Sequence, residues 1–480
     1  MTRLVEAPTG RRGAATLLGA QWGRYVLQVG GIVLLARLVA PDEFGLVALG
    51  AALAGLAAVL GDFGLSLAAL REQSLSSAQR DNLFWINTLV GVIGTAVVLA
   101  LSSPLAAIYG DPRLATVLVL LAPAFALRAA SVQFRVELNR SHRLERLAVS
   151  EFVGDALGLG VAAASAVLGA GYVGLAVQGS IAALMTLVLS VAMTPWFPRP
   201  PHQRAGMKGL LSFGGNTFVT HVLNYASTNI GTVAIAQHFS NQVVGIFGRA
   251  NQLVNLPIEQ LASPLTRIVI PRLTAASGAD ELERQLRRLQ TVLCYPILAY
   301  ISLFIAVADP AIVIVLGPAW EGAADFVPVL AVGGTFQILG YVGFWGFVVR
   351  GRSGALLFSE ASGRILMIAL ALLLVPLGPL WVATSLAAGQ ALIWLSATAF
   401  FLPRAGLNGW ALSAPGVRPV LTFGAAAVIG WLAVDMWAPT ADAAIRLLIG
   451  AGMWAGTAVL LTALWGRPDV LVLRNFLGRK

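Results

Sequence analysis

Charge is what this chain has least of. Asp, Glu, Lys and Arg together make up 11% of its 480 residues, under half of the quarter or so typical of soluble domains. A surface that cannot be covered with charge must mostly meet lipid. Cysteine is almost absent: the lone Cys294 excludes an intrachain disulfide and a thiolate metal cluster. The four histidines, His142, His202, His221 and His238, are scattered, so no zinc site and no other metal site is expected. Phosphate-binding GxxxxGK[ST], zinc-protease HExxH and paired-aspartate sugar-nucleotide motifs are missing. No cofactor is therefore expected, and the chain does not read as an enzyme or an ATP-driven pump. The net charge of +10 comes in short basic clusters between apolar segments rather than in a stripe interleaved with aromatics, so nucleic-acid binding is not expected.

What is there is apolar: 58% of the residues are hydrophobic and the mean hydropathy is +0.80. Fourteen apolar segments can be marked, at 14–39, 44–70, 83–108, 114–136, 148–170, 172–194, 210–236, 242–270, 289–308, 323–349, 354–376, 379–402, 417–437 and 443–465. Each is close to the ~20 residues that a membrane-crossing helix needs. Helix breakers such as "APDE" (40–43), "YGDPR" (109–113), "TPWFPRPP" (194–201) and "LGP" (377–379) punctuate them. The ten-residue alternation of barrel strands does not occur. The expected class is all-α and polytopic, with about fourteen transmembrane helices.

Lys and Arg divide unevenly between the two sets of connections. The odd-numbered connections carry only Arg113 and Arg446, while the even-numbered ones, with both ends of the chain, hold most of the others, Arg71, Arg140, Arg204, Arg287 and Arg404 among them. The positive-inside rule then places both termini in the cytoplasm. The basic N-terminus reads as leading into an uncleaved first helix. The longest outside connection, near 309–322, is too short for an extracytoplasmic catalytic domain. The stretch "LERQLRR" (282–288) reads as amphipathic and lipid-facing on the cytoplasmic side.

Shifting the chain by 200 residues lays the first two helices on the seventh and eighth without a gap. Gln21, Arg24, Tyr25 and Gln28 then fall on His221, Asn224, Tyr225 and Thr228. Both quartets have the spacing i, i+3, i+4, i+7, one face of a helix. The pattern predicts a parallel repeat: an N-terminal lobe of six helices (1–200), a second of six (201–405), and two further helices with a cytoplasmic tail (406–480). A central cavity lined by the first helix of each lobe would receive these polar faces. An arginine in the middle of a membrane helix costs about 2.5–3.5 kcal/mol on insertion scales, so Arg24 needs a partner or a cavity. Asp62, Arg128 and Asp155 come out at a depth similar to that of Arg24, where they would form an ion-paired cluster or line a pocket. In the second half Glu259 and Arg364 are level, with Glu360 one turn from Arg364, and Arg249 shares a face with Gln252 and Glu259.

The stretches "ARLVAPDEFG", "GDFGLSLAAL", "FWINTLVG" and "AIYGDPRL" within residues 36–114 resemble the polysaccharide transporter family. It belongs to the superfamily of multidrug, oligosaccharidyl-lipid and polysaccharide flippases. The resemblance implies a V-shaped, two-lobed transporter in the bacterial cytoplasmic membrane that flips an undecaprenyl-diphosphate-linked oligosaccharide by ion-driven alternating access. It implies Arg24 as the diphosphate-binding residue; Gln21, Tyr25, Gln28, His221, Asn224, Tyr225, Arg128 and Arg249 complete the candidate substrate site. Asp62, Asp155 and Glu259 are the candidates for ion coupling. The partners expected are the lipid-linked oligosaccharide, membrane lipids, and the polymerase and glycosyltransferases of the same pathway, with the chain a monomer. A multidrug cation exporter of the same superfamily is the rival reading, disfavoured by the extra helix pair; a membrane glycosyltransferase would need catalytic acids and a sizeable loop.

Overall fold

A computed structural model describes residues 11–62, 76–141, 143–202, 208–275 and 278–477. Within its helices, the side chains at 11–18, 20–22, 57–62, 208–221, 263–264 and 267–268 lie outside the described residues. The chain is all-α, with no strand among the described residues. The helices, in order, are α1 (Arg11–Leu38), α2 (Pro41–Asp62), α3 (Ser77–Tyr109), α4 (Arg113–Leu121), α5 (Pro123–Arg140), α6 (Leu144–Val167), α7 (Gly171–Met193), α8 (Lys208–His238) and α9 (Asn241–Thr274). There follow α10 (Ala279–Ala306), α11 (Ala308–Val315), α12 (Val327–Val349), α13 (Ser353–Leu374), α14 (Pro379–Ser396), α15 (Gly409–Trp437), α16 (Ala443–Trp465) and α17 (Arg467–Leu477). Among the described residues ten helical segments are long and apolar enough to cross a membrane. A count of fourteen is compatible with this.

The punctuation acts as its chemistry requires. Ser76 caps α3: its Oγ accepts from the Gln79 backbone N–H at 3.1 Å while its own N–H donates to Gln79 Oε1 at 3.0 Å, a reciprocal capping box. Gly110, at φ 70°, ends the helix in the left-handed region that glycine enters at little cost. The outside connection expected near 309–322 is itself largely helical: α11 is followed by a 3₁₀ segment, Pro318–Phe326. Ile312, Leu316 and a fully buried Trp320 pack inward, so the segment gains burial that an open loop would forgo.

The chain forms two compact units, one of Met1–Asn229 with Ser240–Gly245, the other of Ile230–Phe239 with Ile246–Lys480. In the first, α6 and α7 meet along small residues. A Cβ on Gly154 would stand 2.4 Å from Thr186 Oγ1 and 2.7 Å from the Ala182 carbonyl, and one on Gly158 would stand 2.7 Å from the Gln178 carbonyl. This close backbone approach is the membrane substitute for hydrophobic collapse, since lipid tails are as apolar as leucine. On its other side α6 packs against α1, where Gly23 receives Phe152 and Gly31 receives Leu159.

The second unit has the larger apolar core, including Ile258, Leu286, Leu293, Ile338 and Trp345. The Trp345 indole N–H donates to Thr266 Oγ1 at 2.9 Å. Leu282 and Leu286 belong to this core, so "LERQLRR" is the first part of α10 with its apolar side packed inward rather than laid on lipid. The arginines stay on the wet side: Arg284 is exposed and pairs with Glu281 at 2.8 Å.

Candidate functional site

The packing of α1 on α6 decides what Arg24 meets. Gly23 lets Phe152 approach, and the next residue, Arg24, reaches the two acids flanking Phe152's turn. Its Nε donates to Asp155 Oδ2 at 3.0 Å and its Nη1 donates to Glu151 Oε2. Glu151 and Asp155 are four apart, hence one above the other on α6. The other oxygen of Glu151 accepts from Nη2 of Arg135 on α5. One carboxylate therefore ties two guanidiniums from two helices. Its side chain is 17% exposed, against 43% for Arg24 and 42% for Arg135.

Arg128, about two turns from Arg135 on α5, is accessible and lies within electrostatic reach of Asp155, which attracts it, and of Arg135, which repels it. Its guanidinium rests against Gly179 of α7. No ion pair holds it among the described residues. Three arginines and two acids thus share one neighbourhood inside the first unit, with Arg24 midway along α1 and Glu151 about two turns into α6. Among the described residues the balance is one positive charge in excess.

Of the residues expected here, Arg24, Arg128 and Asp155 are brought together. Gln28 is exposed and Tyr25 half-buried on the same helix. The side chains of Gln21, His221 and Asp62 lie outside the described residues, and the described partners of Arg24 are Asp155 and Glu151. Asn224 is exposed. The Tyr225 hydroxyl lies against the backbone of α2, 3.1 Å from the Ala51 carbonyl and 3.0 Å from that of Ala52. Tyr225 therefore braces two helices with its polar end.

In the second unit Arg249 is buried, with its guanidinium 5.8 Å from the centre of the Trp320 ring and a hydrogen bond from Nη1 to Gln252 Oε1. An enclosed guanidinium over an aromatic ring is attracted by the ring's electron-rich face. Glu259 is exposed and shares the electrostatic environment of Tyr341 with Glu360. Glu360 itself pairs with Arg364 at 2.7 Å. No group of three His, Cys, Asp or Glu among the described residues could hold a metal.

Glu151 and Arg135 escaped the reading of the sequence. The available signal was the i, i+4 pair of acids on one membrane helix, which brackets a single guanidinium. Nothing in the sequence said that α1 is the helix it faces.

A multi-pass, all-α membrane protein with an ion-paired arginine cluster among its helices has the architecture of a membrane transporter. The family model described as "Polysaccharide biosynthesis protein" matches residues 34–325, and the chain belongs to that family. It is similar to the succinoglycan biosynthesis transport protein ExoT of Rhizobium meliloti, with 24% identity over 333 residues, 69% of this chain and 67% of ExoT. It is also similar to the lipopolysaccharide biosynthesis protein WzxC of Escherichia coli, with 23% identity over 341 residues, 68% of each chain. Among solved structures, the lipid II flippase MurJ in an inward closed conformation shares the fold with a TM-score of 0.70 and 12% identity, covering 95% of this chain and 99% of MurJ.

Proposed function

We propose that this membrane protein is a flippase that carries a lipid-linked oligosaccharide, built on undecaprenyl diphosphate, across the bacterial cytoplasmic membrane for polysaccharide synthesis. The observation that carries this is the half-exposed Arg24, tied from behind by two acids in the middle of a membrane helix. A guanidinium keeps its charge in a partly dehydrated site and offers a planar fork of donors that suits phosphate oxygens. Membership of the polysaccharide biosynthesis family supports the same reading. Transport proceeds by alternating access, with no chemistry on the sugar; the chain is a transporter rather than an enzyme.

In this reading Arg24 holds the diphosphate while Gln21, Tyr25 and Gln28 on its face meet sugar or water, and Asn224 contributes an exposed amide. Asp155 is the first candidate for ion coupling, because a carboxylate that shares an arginine can exchange its pair for a proton or a cation. Asp62 and Glu259 follow. Two six-helix lobes (1–200 and 201–405) with a C-terminal pair (406–480), cytoplasmic termini, a monomeric state, and polymerase and glycosyltransferase partners complete the proposal.

The test is a strain lacking the protein. Lipid-linked oligosaccharide should accumulate on the cytoplasmic face, and purified protein in vesicles should restore its movement. Accumulation of a cationic drug instead, with normal polysaccharide, would support the multidrug exporter and end this proposal.

A further inference from the structure

One acid shared by two arginines is an unusual use of charge among membrane helices. Glu151 is more enclosed than either arginine it binds, and both arginine side chains keep about two fifths of their surface accessible. Arg24 spends two donors on Asp155 and Glu151 among the described residues. Arg135 spends one on Glu151, and its buried Nε has no hydrogen-bond partner among the described residues. Each guanidinium has five donors, so several remain on both. Left alone, two like charges so close would repel, and the shared carboxylate is what keeps them at a fixed separation.

We propose that Arg24 and Arg135 form a two-pronged clamp for two adjacent phosphoryl groups, and that Glu151 is the residue positioning the prongs. The inference rests on the reading that Arg24 faces the anionic headgroup, and adds to it a second anion-binding residue and a source of selectivity. A monophosphate needs one fork. A diphosphate engages two, and gains from both only if their spacing is held beforehand. Arg128, close by and without an ion pair among the described residues, adds to the positive field but is not tied to the clamp.

The experiment uses the full chain in detergent with farnesyl diphosphate and farnesyl monophosphate as probes, measuring binding of each together with the melting temperature. The wild-type protein should prefer the diphosphate by about tenfold, the scale of one charged hydrogen-bonding group gained. Glu151→Gln should bring that ratio close to one while monophosphate binding persists. Arg135→Gln should do the same, and Glu151→Asp should recover part of the preference. Equal loss of both ligands with a lowered melting temperature would make the triad a mere tie between helices and overturn the clamp. If Glu151→Gln does not fold, Arg135→Lys decides: charge without the fork should lose the ratio, and an unchanged ratio sinks the idea. Should Arg24→Gln leave both affinities intact, the headgroup reading falls and the clamp falls with it. Should Arg24→Gln weaken binding while Arg135→Gln keeps the ratio, the clamp alone is wrong.

Discussion

Gly154 of α6 and Thr186 of α7 stand so close that a Cβ on the glycine would lie 2.4 Å from the threonine hydroxyl. The Ala182 carbonyl, a backbone atom that cannot swing aside, blocks the same space at 2.7 Å. Gly154→Val should therefore force α6 off α7, at an overpacking cost of about 1–3 kcal/mol, and lower the melting temperature by several degrees. Gly160, on the same helix, has nothing within 4 Å of where its Cβ would be. Gly160→Ala should be neutral or slightly stabilising. Equal effects of the two substitutions would show that the contact does not hold the helices together.

Arg24 and Asp155 offer a direct separation of binding from bracing. Each single change, Arg24→Gln and Asp155→Asn, should slow flipping in reconstituted vesicles, by about tenfold or more for Arg24 if a charged hydrogen bond to substrate is lost. If the pair only braces α1 on α6, the double variant should regain the lost rate. The expected result is no rescue, because Arg24 is needed for the headgroup. Rescue would remove Arg24 from the binding site.

How much of this was legible beforehand differs between fold and site. The helices and their ends follow from apolar runs and breakers, which are local properties. The capping box at Ser76 and the turn at Gly110 are written in adjacent residues. Arg24 was visible because a charge in an apolar helix is costly wherever it sits. Its partners were not, because depth alone made Asp62 and Asp155 equivalent. Gly23 and Gly31, which let α6 dock on α1, bring both Asp155 and Glu151 into range, while the side chain of Asp62 lies outside the described residues. Arg135 was invisible for the same reason: its importance depends on a carboxylate contributed by another helix.

Asp111, in the turn between α3 and α4, should report on acid stability. The Arg113 side chain, hydrogen-bonded to it at 2.7 Å, is the main reason its carboxyl sits below the usual value of 3.8, with a smaller contribution from Asn241. A carboxyl lowered on folding stabilises above the unfolded value and loses that contribution as pH falls through the folded one. Asp111 is half-buried but its partner Arg113 is exposed to screening by solvent, so the effect should be about 1 kcal/mol or less. Asp111→Asn should lower the melting temperature near neutral pH and converge with wild type below pH 3.8. A gap that persists in acid would assign the loss to hydrogen bonding alone.

Gln133 on α5 is 1% exposed, and neither of its amide atoms has a hydrogen-bond partner among the described residues. An unpaired buried polar group costs about 1–3 kcal/mol. Gln133→Met keeps the length of the side chain and removes the amide, so the melting temperature should rise. A fall would show that the amide is satisfied in the membrane by something that the methionine cannot bind.

Orientation can be read with single cysteines. In intact cells a membrane-impermeant thiol reagent should label Asp111→Cys and leave Ser141→Cys and His202→Cys untouched. Labelling of position 141 with 111 protected would invert the topology. The native Cys294 is fully buried and should contribute no background.

The pairing of Arg24 also sets a timetable for synthesis. Its described partners lie 127 and 131 residues further along the chain. At about 5–20 residues per second, Arg24 waits roughly six seconds or more before Glu151 is made. Throughout that interval the first helix carries a charge whose described counter-ions do not yet exist. A ribosome that stalls before position 151 therefore leaves a fragment with that charge uncompensated, a mark by which quality control could tell an unfinished chain from a finished one.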